Sequence, residues 1–261
     1  MEGLRKPARL LLVMVLGLLM SACAHTGGKS EQADVDPWEP FNRSMFEFNE
    51  KVDRAVLKPV ASGYRKVVPD GIRKGIGNVF LNLAEPTTVV NDVLQGKFNQ
   101  AGHDFFRFVV NSTFGLLGWF DVATPLGMER NREDFGQTFS VWGFARGPYL
   151  VLPLLGPSTV TDAAGIIPAT MYTDPRTAGG YTLETYAILG LNTIDTRARL
   201  LGASKVSELQ LDQYVFRRET YLQQRAQLIH DGDPPGQDDY LEDDFYDDDL
   251  FEDDEQDDDR D

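Results

Sequence analysis

The chain has 261 residues and a formal net charge of −16, but the charge is not evenly spread. From Asp231 to the end, 15 Asp, 3 Glu and one Arg give −17, which leaves +1 for residues 1–230. A nearly neutral body with no basic stripe, followed by a tail that repels phosphate backbones, excludes nucleic-acid binding, and the single cysteine excludes an intrachain disulfide.

Arg5, Lys6 and Arg9 precede an eleven-residue apolar run from Leu10 to Met20, and Ser21-Ala22 supply the small residues a signal peptidase needs. Residues 1–22 therefore read as a secretory signal, well short of the roughly 20 apolar residues of a membrane span. Cys23 follows directly, and Met20-Ser21-Ala22-Cys23 resembles the bacterial lipobox, whose cysteine is acylated and becomes the mature N-terminus. Met20 departs from the usual Leu, and Ala24 resembles the default outer-membrane address. Each buried methylene of an acyl chain contributes about 0.8 kcal/mol, so two or more chains on Cys23 would hold the protein at a membrane permanently. The competing reading is cleavage without lipidation.

Residues 23–35 form a small, polar tether, and a folded domain is expected over 36–230. Asp36-Pro37 reads as a helix start, an acidic N-cap with proline at the first helical position. Phe41, Met45, Phe48, Val52 and Val56 follow at helical spacing. Pro59 and Pro69 punctuate the pattern, and Pro69-Asp70-Gly71 starts a second helix carrying Ile72, Ile76, Val79 and Phe80. Glu85-Pro86 reads as a further start, ending near Gly96. Phe98 to Phe114 is apolar nearly all round apart from His103, Asp104 and Arg107, as in a buried central helix or one facing lipid. Buried core is the commoner outcome. Between Gly115 and Pro157 glycines break the chain, and the proline-bounded run Tyr149 to Leu155 reads as an extended apolar loop, excluded from a central strand. Ser158 offers the N-cap of a short helix that Pro168 interrupts. Residues 169–185 read as a loop, and two helical patterns follow, one with Leu189, Ile194, Ala198 and Leu201, the other from Ser207 to His230. The fold class is mostly α with few strands.

Asp36-Pro37-Trp38-Glu39-Pro40-Phe41-Asn42-Arg43, Asn82-Leu83-Ala84-Glu85-Pro86, Asp121-Val122-Ala123-Thr124, Asp134-Phe135-Gly136-Gln137-Thr138 and Gly147-Pro148-Tyr149-Leu150-Val151-Leu152-Pro153 occur in this order. With them the chain resembles the MlaA (VacJ) lipoprotein family over roughly residues 34–225. The resemblance implies a single helical domain forming a ring around an amphipathic channel, lying in the inner leaflet of the outer membrane beside a trimeric porin. It implies transfer of misplaced outer-leaflet phospholipid to a soluble periplasmic carrier of the Mla pathway, with no covalent chemistry and no cofactor. Thr161, where the family often has Arg, and Ala145, where Gly is common, depart from the pattern. An irregular apolar stretch at membrane depth is tolerated where it lines a cavity. Phe105, Phe108, Trp119, Phe120, Tyr149, Leu150, Val151, Leu152, Leu154 and Leu155 are accordingly candidates for the lipid path, with core packing the commoner role for each taken singly.

Other chemistry finds little support. The three histidines, His25, His103 and His230, lie far apart in sequence, and His103 beside Asp104 lacks a nearby second ligand, so neither a metal site nor a triad is expected. Thr26-Gly27-Gly28-Lys29-Ser30 lacks the first glycine and the strand of a phosphate loop, and there is no Gly-x-Ser-x-Gly elbow. In the tail, 231–261, the pairs Tyr240-Leu241, Phe245-Tyr246 and Leu250-Phe251 stand five residues apart, a spacing that stacks on no helix or strand face, so disorder is expected. The rivals to lipid transport are a porin-associated envelope scaffold and a lipoprotein lipid hydrolase.

Overall fold

The computed structural model describes residues 35–177, 180–202 and 209–234. Cys23, the tether up to residue 34 and the acidic tail from residue 235 lie outside them. The chain divides after Pro37 into two units, and the helical unit begins at Trp38.

Helix α1 spans Glu39–Val52, so it starts after the expected Asp36-Pro37. Pro40, in the first turn, takes the position where a missing N–H costs nothing. The chain does not break at Pro59 either. A π turn, Asp53–Leu57, leads directly into α2, Lys58–Val67, with Pro59 in its first turn. The wider turn gives the proline ring room that the carbonyl four residues back would otherwise deny it. Pro168 is handled alike, at the end of α6, Val160–Pro168, where the helix runs on into a π turn at Ala169–Thr173 inside the expected loop.

Helix α3, Asp70–Leu94, begins where Pro69-Asp70 marks it, but Glu85-Pro86 starts nothing, because Pro86 sits inside one continuous helix. An internal proline costs about 3 kcal/mol in lost bonding and clash. Here the adjoining turn is fastened from outside, since the buried Glu85 carboxylate accepts from Arg130 Nε at 2.9 Å and lies 3.5 Å from Arg107 Nε. Gly96, at φ +79°, reverses the chain into α4, Phe98–Thr113, which packs back along α3. Only glycine takes that conformation without strain.

The loop after α4 is folded around Asn111. Its carboxamide oxygen accepts from Val122 N and Ala123 N, both at 2.9 Å, and its nitrogen donates to Asp121. Trp119 packs against α3 at Gly75, where a Cβ would stand 2.3 Å from the indole. Helix α5, Phe135–Val141, comes next, with Asp134 as its N-cap.

The expected irregular loop is a two-stranded hairpin, β1 Tyr149–Leu152 and β2 Gly156–Thr159, antiparallel with Tyr149 opposite Thr159. The free edge of β1 is satisfied by α1. Asn42 donates to Tyr149 O at 3.0 Å and accepts from Val151 N at 2.9 Å, while Asn49 donates to Leu152 O at 2.9 Å and accepts from Leu154 N at 2.7 Å. Seven helical residues rise about 10.5 Å and three strand residues about 10 Å, so the two asparagines are in register with the strand. Thr159, one residue beyond the expected Ser158, caps α6. Helix α7, Leu183–Leu200, starts at its Thr182 cap, and α8, Gln213–Ile229, starts at Asp212, which accepts from Tyr214 N and Val215 N.

What these elements enclose reverses the ordinary rule. Among the described residues 21 polar or charged side chains are buried against ten apolar ones, while Phe41, Phe48 and Val56 of the first amphipathic face point outward. In α4 the buried positions are Ala101, Asp104, Arg107 and Asn111, so the aromatic side faces out and the buried-core expectation for it does not hold. Periodicity locates the apolar face of a helix but cannot say which solvent that face meets.

Candidate functional site

The exposed apolar surface is large and clustered along α4 and the loops beside it. Phe98, Phe105, Phe106, Phe114, Leu116, Leu117 and Phe120 are exposed, with Phe114 at 76% and Leu117 at 75%. Trp142 and Phe144 after α5, Leu154 and Leu155 at the hairpin tip, and Ile166 and Ile167 of α6 are exposed as well. Apolar exposure on this scale marks a lipid or protein contact surface. No described helix is long and apolar enough to cross a membrane.

The interior is held by three buried ionic knots. In the first, Arg107 donates to Asp121, Thr124 and the Met128 carbonyl and faces Glu85, so α3, α4 and the following loop meet at one guanidinium. Burial pushes the Glu85 carboxyl up, and Arg130 and then Arg107 oppose this. In the second, Arg225 of α8 donates to Asp134, the α5 cap, at 2.6 Å, and to Asp162 of α6. Tyr221 Oη completes it, 2.6 Å from Asp162. Burial works against the charge of Asp134, but the hydrogen bond and charge of Arg225 hold its carboxyl below the usual range. In the third, Asp92 and Asp104 are wholly buried on the facing sides of α3 and α4. Asp104 accepts from Gln100 and lies 3.0 Å from His103 Nδ1, whereas neither oxygen of Asp92 has a donor within reach. Burial, then the charges of Asp104 and Glu133, push Asp92 up to about 8, so it keeps its proton at neutral pH. Glu133 itself is held by Lys97 at 2.9 Å.

Two cavities adjoin these knots and a third lies apart from them. One of about 300 Å³ is walled by Arg130, Arg132, Arg176 and Arg225 together with Thr88 and Gln224. A second, about 740 Å³, shares Arg132, Glu133, Gln224 and Leu228 with it and continues to Lys97 and Asp231. The third, about 650 Å³, lies under the hairpin tip, between Leu154-Leu155 and α7.

The structure divides the path candidates. Leu154 and Leu155 line the third cavity. Phe105 and Phe120 are on the exposed surface, Phe108 is half-buried, and Trp119 is docked on Gly75. Tyr149 and Val151 are core residues at 1% exposure, with Leu150 and Leu152 half-buried between the strands and their surroundings. The two unusual residues, Thr161 and Ala145, touch each other, the Thr161 hydroxyl donating to the Ala145 carbonyl at 2.7 Å. The arginine-lined cavity escaped sequence reasoning. A signal for it exists in α8, where Arg218 and Arg225, seven apart, share the buried stripe with Tyr214 and Leu222.

The fold and site thus define a class, a helical unit with a polar interior, clefts open to its surface and an extensively apolar exterior. The MlaA lipoprotein family model matches residues 34–228, and the chain belongs to that family. It is 34% identical over 233 residues to the intermembrane phospholipid transport system lipoprotein MlaA of Shigella flexneri, covering 85% of this chain and 90% of the relative. The protein of that name from Escherichia coli (strain K12) matches to the same extent, and the one from Haemophilus influenzae is 31% identical over 234 residues, 87% of this chain and 92% of its own. A structure solved in work on the structural basis for maintenance of bacterial outer membrane lipid asymmetry superposes with a TM-score of 0.66 at 34% identity, covering 74% of this chain and 98% of that one.

Proposed function

We propose that this protein is an outer-membrane lipoprotein, acylated at Cys23 on the periplasmic side, that removes mislocalised phospholipids from the outer leaflet and passes them to a soluble periplasmic carrier. In this reading it maintains outer-membrane lipid asymmetry in association with a trimeric porin, and it performs no covalent chemistry. The observation that carries it is the inversion of polarity. The outward Phe and Leu side chains of α4 and the following loop suit acyl chains, while the buried Arg, Asp and Asn side chains offer a zwitterionic or anionic headgroup a polar route that the bilayer core denies it. The family relationship supports the same substrate class. Movement is passive, and its direction comes from the carrier that removes lipid.

The hairpin tip is the part of the proposed path that combines Leu154 and Leu155 with a cavity. Photo-crosslinking amino acids placed at these two positions in the membrane-embedded protein are expected to capture intact phospholipid. Capture of porin alone at every position along the hairpin and α4 would favour the scaffold, and recovery of lysophospholipid would favour the hydrolase.

A further inference from the structure

Asp92, in the last turn of α3, and Asp104, in the second turn of α4, are both 0% exposed and face each other across the helix pair. Asp104 has the surroundings of a carboxylate, accepting from Gln100 Nε2 at 3.1 Å and facing His103 Nδ1 at 3.0 Å. Asp92 has no donor at either oxygen. Ionised, it would have neither solvent nor hydrogen bonds, whereas protonated it donates to the acceptor beside it, Asp104.

The charged groups around the pair come from the elements packed on it. Helix α4 supplies His103, the 130–134 segment supplies Glu133, and the α3–α4 turn supplies Lys97, whose ammonium is divided between Glu133 at 2.9 Å and Asp231 at 2.5 Å. Glu85, two turns earlier on α3, is balanced by Arg130 and Arg107. Helix α5, which reaches α3 through Thr138 and Asn91, carries no charged side chain. Lys97 is thus already shared by two carboxylates, and no group of three or more His, Cys, Asp or Glu side chains suited to a metal ion occurs among the described residues. A proton is the charge left to neutralise Asp92.

Asp92 also fastens the corner between the helices through its backbone. Lys97 N donates to the Asp92 carbonyl at 2.9 Å, and the Lys97 carbonyl accepts from Ala101 N at 2.9 Å in the first turn of α4. From outside, Glu133 holds the corner with both oxygens, one taken by Lys97 and the other by Gln95 at 2.8 Å. Gly96, Lys97, Phe98, Asn99 and Gln100 of this corner line the cleft of about 740 Å³. Ionising Asp92 sets a third carboxylate against Asp104 and Glu133 where the corner is tied down.

We propose that a proton shared between Asp92 and Asp104 latches this corner and is released when the corner opens, so that the α3–α4 wall of the cleft loosens as pH rises while the other helices stay folded. The device belongs to the wall and does not depend on what the cleft receives.

The test is hydrogen–deuterium exchange of the full-length protein in detergent, read by mass spectrometry for peptides covering residues 95–106 at pH 5, 6 and 7 and converted to opening constants after the intrinsic pH dependence of exchange is divided out. The open carboxyl titrates near its ordinary value of about 4 and the closed one at about 8, so one proton leaves on opening. Opening in the wild type should therefore become about tenfold more favourable per pH unit across this range, and at each pH should exceed that of the slowest amides of α8. Asp92→Asn, a donor to Asp104 at any pH, should remove the slope. Asp104→Asn should flatten it as well, and serves should Asp92→Asn fail to fold. His103→Gln should keep it. At pH 7 the wild type should show the infrared carbonyl stretch of a protonated carboxyl, and Asp92→Asn should lack it. The latch is refuted if the wild-type slope is absent, survives both Asn variants or vanishes in His103→Gln, if the corner opens no more readily than the slowest amides of α8, or if the wild type shows no protonated-carboxyl band at pH 7.

Discussion

Replacing Arg225 with methionine keeps much of the side-chain volume and removes the guanidinium that ties α8 to α5 and α6. Breaking a buried ion pair by deleting one partner costs about 3–5 kcal/mol, because the charge left behind has lost its solvent and its counter-ion. The lower end applies here. The Asp134 side chain is 47% exposed and rehydrates, and Asp162 retains Tyr221 and Thr159 as donors. Taking about 3 kcal/mol, and about 2–4 °C per kcal/mol for a domain of this size, Arg225→Met should melt about 6–12 °C lower by circular dichroism in detergent at pH 7. Adding Asp162→Asn should recover part of the loss, since the uncompensated charge is then gone. For scale, Lys51→Met removes a pair at 3.7 Å whose side chains are 79% and 69% exposed, and should shift stability by no more than about 0.5 kcal/mol. Equal small shifts for Arg225→Met and Lys51→Met would refute the claim that a polar knot holds this interior together.

The Asp92 carboxyl gives a pH dependence of definite sign. The unfolded chain loses that proton near pH 4 and the folded chain only at about 8, so between the two the folded state holds an extra proton and stability falls as pH rises. Asp92→Asn, which can donate to Asp104 at any pH, should melt several degrees above the wild type at pH 8 and level with it at pH 4, with a flatter profile between. Gly136→Ala places a methyl 2.2 Å from Asp162 Oδ1 and 2.9 Å from Arg225, so it should destabilise by about 2 kcal/mol or more in a denaturant titration, although alanine is the better helix former. Phe114→Glu with Leu117→Glu, made in a Cys23→Ser background so that no acyl chain masks the effect, should weaken flotation with phospholipid vesicles by about tenfold or more, since each buried apolar side chain contributes about 1.5–3 kcal/mol. Unchanged flotation would show that this surface faces something other than lipid.

Much of the helical course was legible because caps and turns are local. Pro69-Asp70 marks the start of α3, whereas Thr182, inside the expected 169–185 loop, and Asp212, inside the helix expected from Ser207, are caps that the sequence reading passed over. Proline misled at residues 59, 86 and 168, where π turns or an external ion pair absorb the strain that would normally end a helix. The hairpin was missed because the partners that satisfy its edge, Asn42 and Asn49, lie more than 100 residues earlier in the chain. The direction of the aromatic faces was not legible, since a helix wheel is the same whether its apolar side meets a core or acyl chains. The arginine cavity was beyond reach for a related reason. Its walls draw residues from α3, the 130–134 segment, α5, the stretch from Ala169 to Arg176 and α8, and no sequence window contains them together.

The central claim is passage of intact phospholipid through this protein to an acceptor, and mass spectrometry of lipid bound to the purified lipoprotein, before and after addition of the soluble carrier, tests it most directly. The expected result is phospholipid that co-purifies, leaves on addition of the carrier and reappears on the carrier unaltered. A protein that carries no lipid, or lipid that stays in place when the carrier is present, would contradict it.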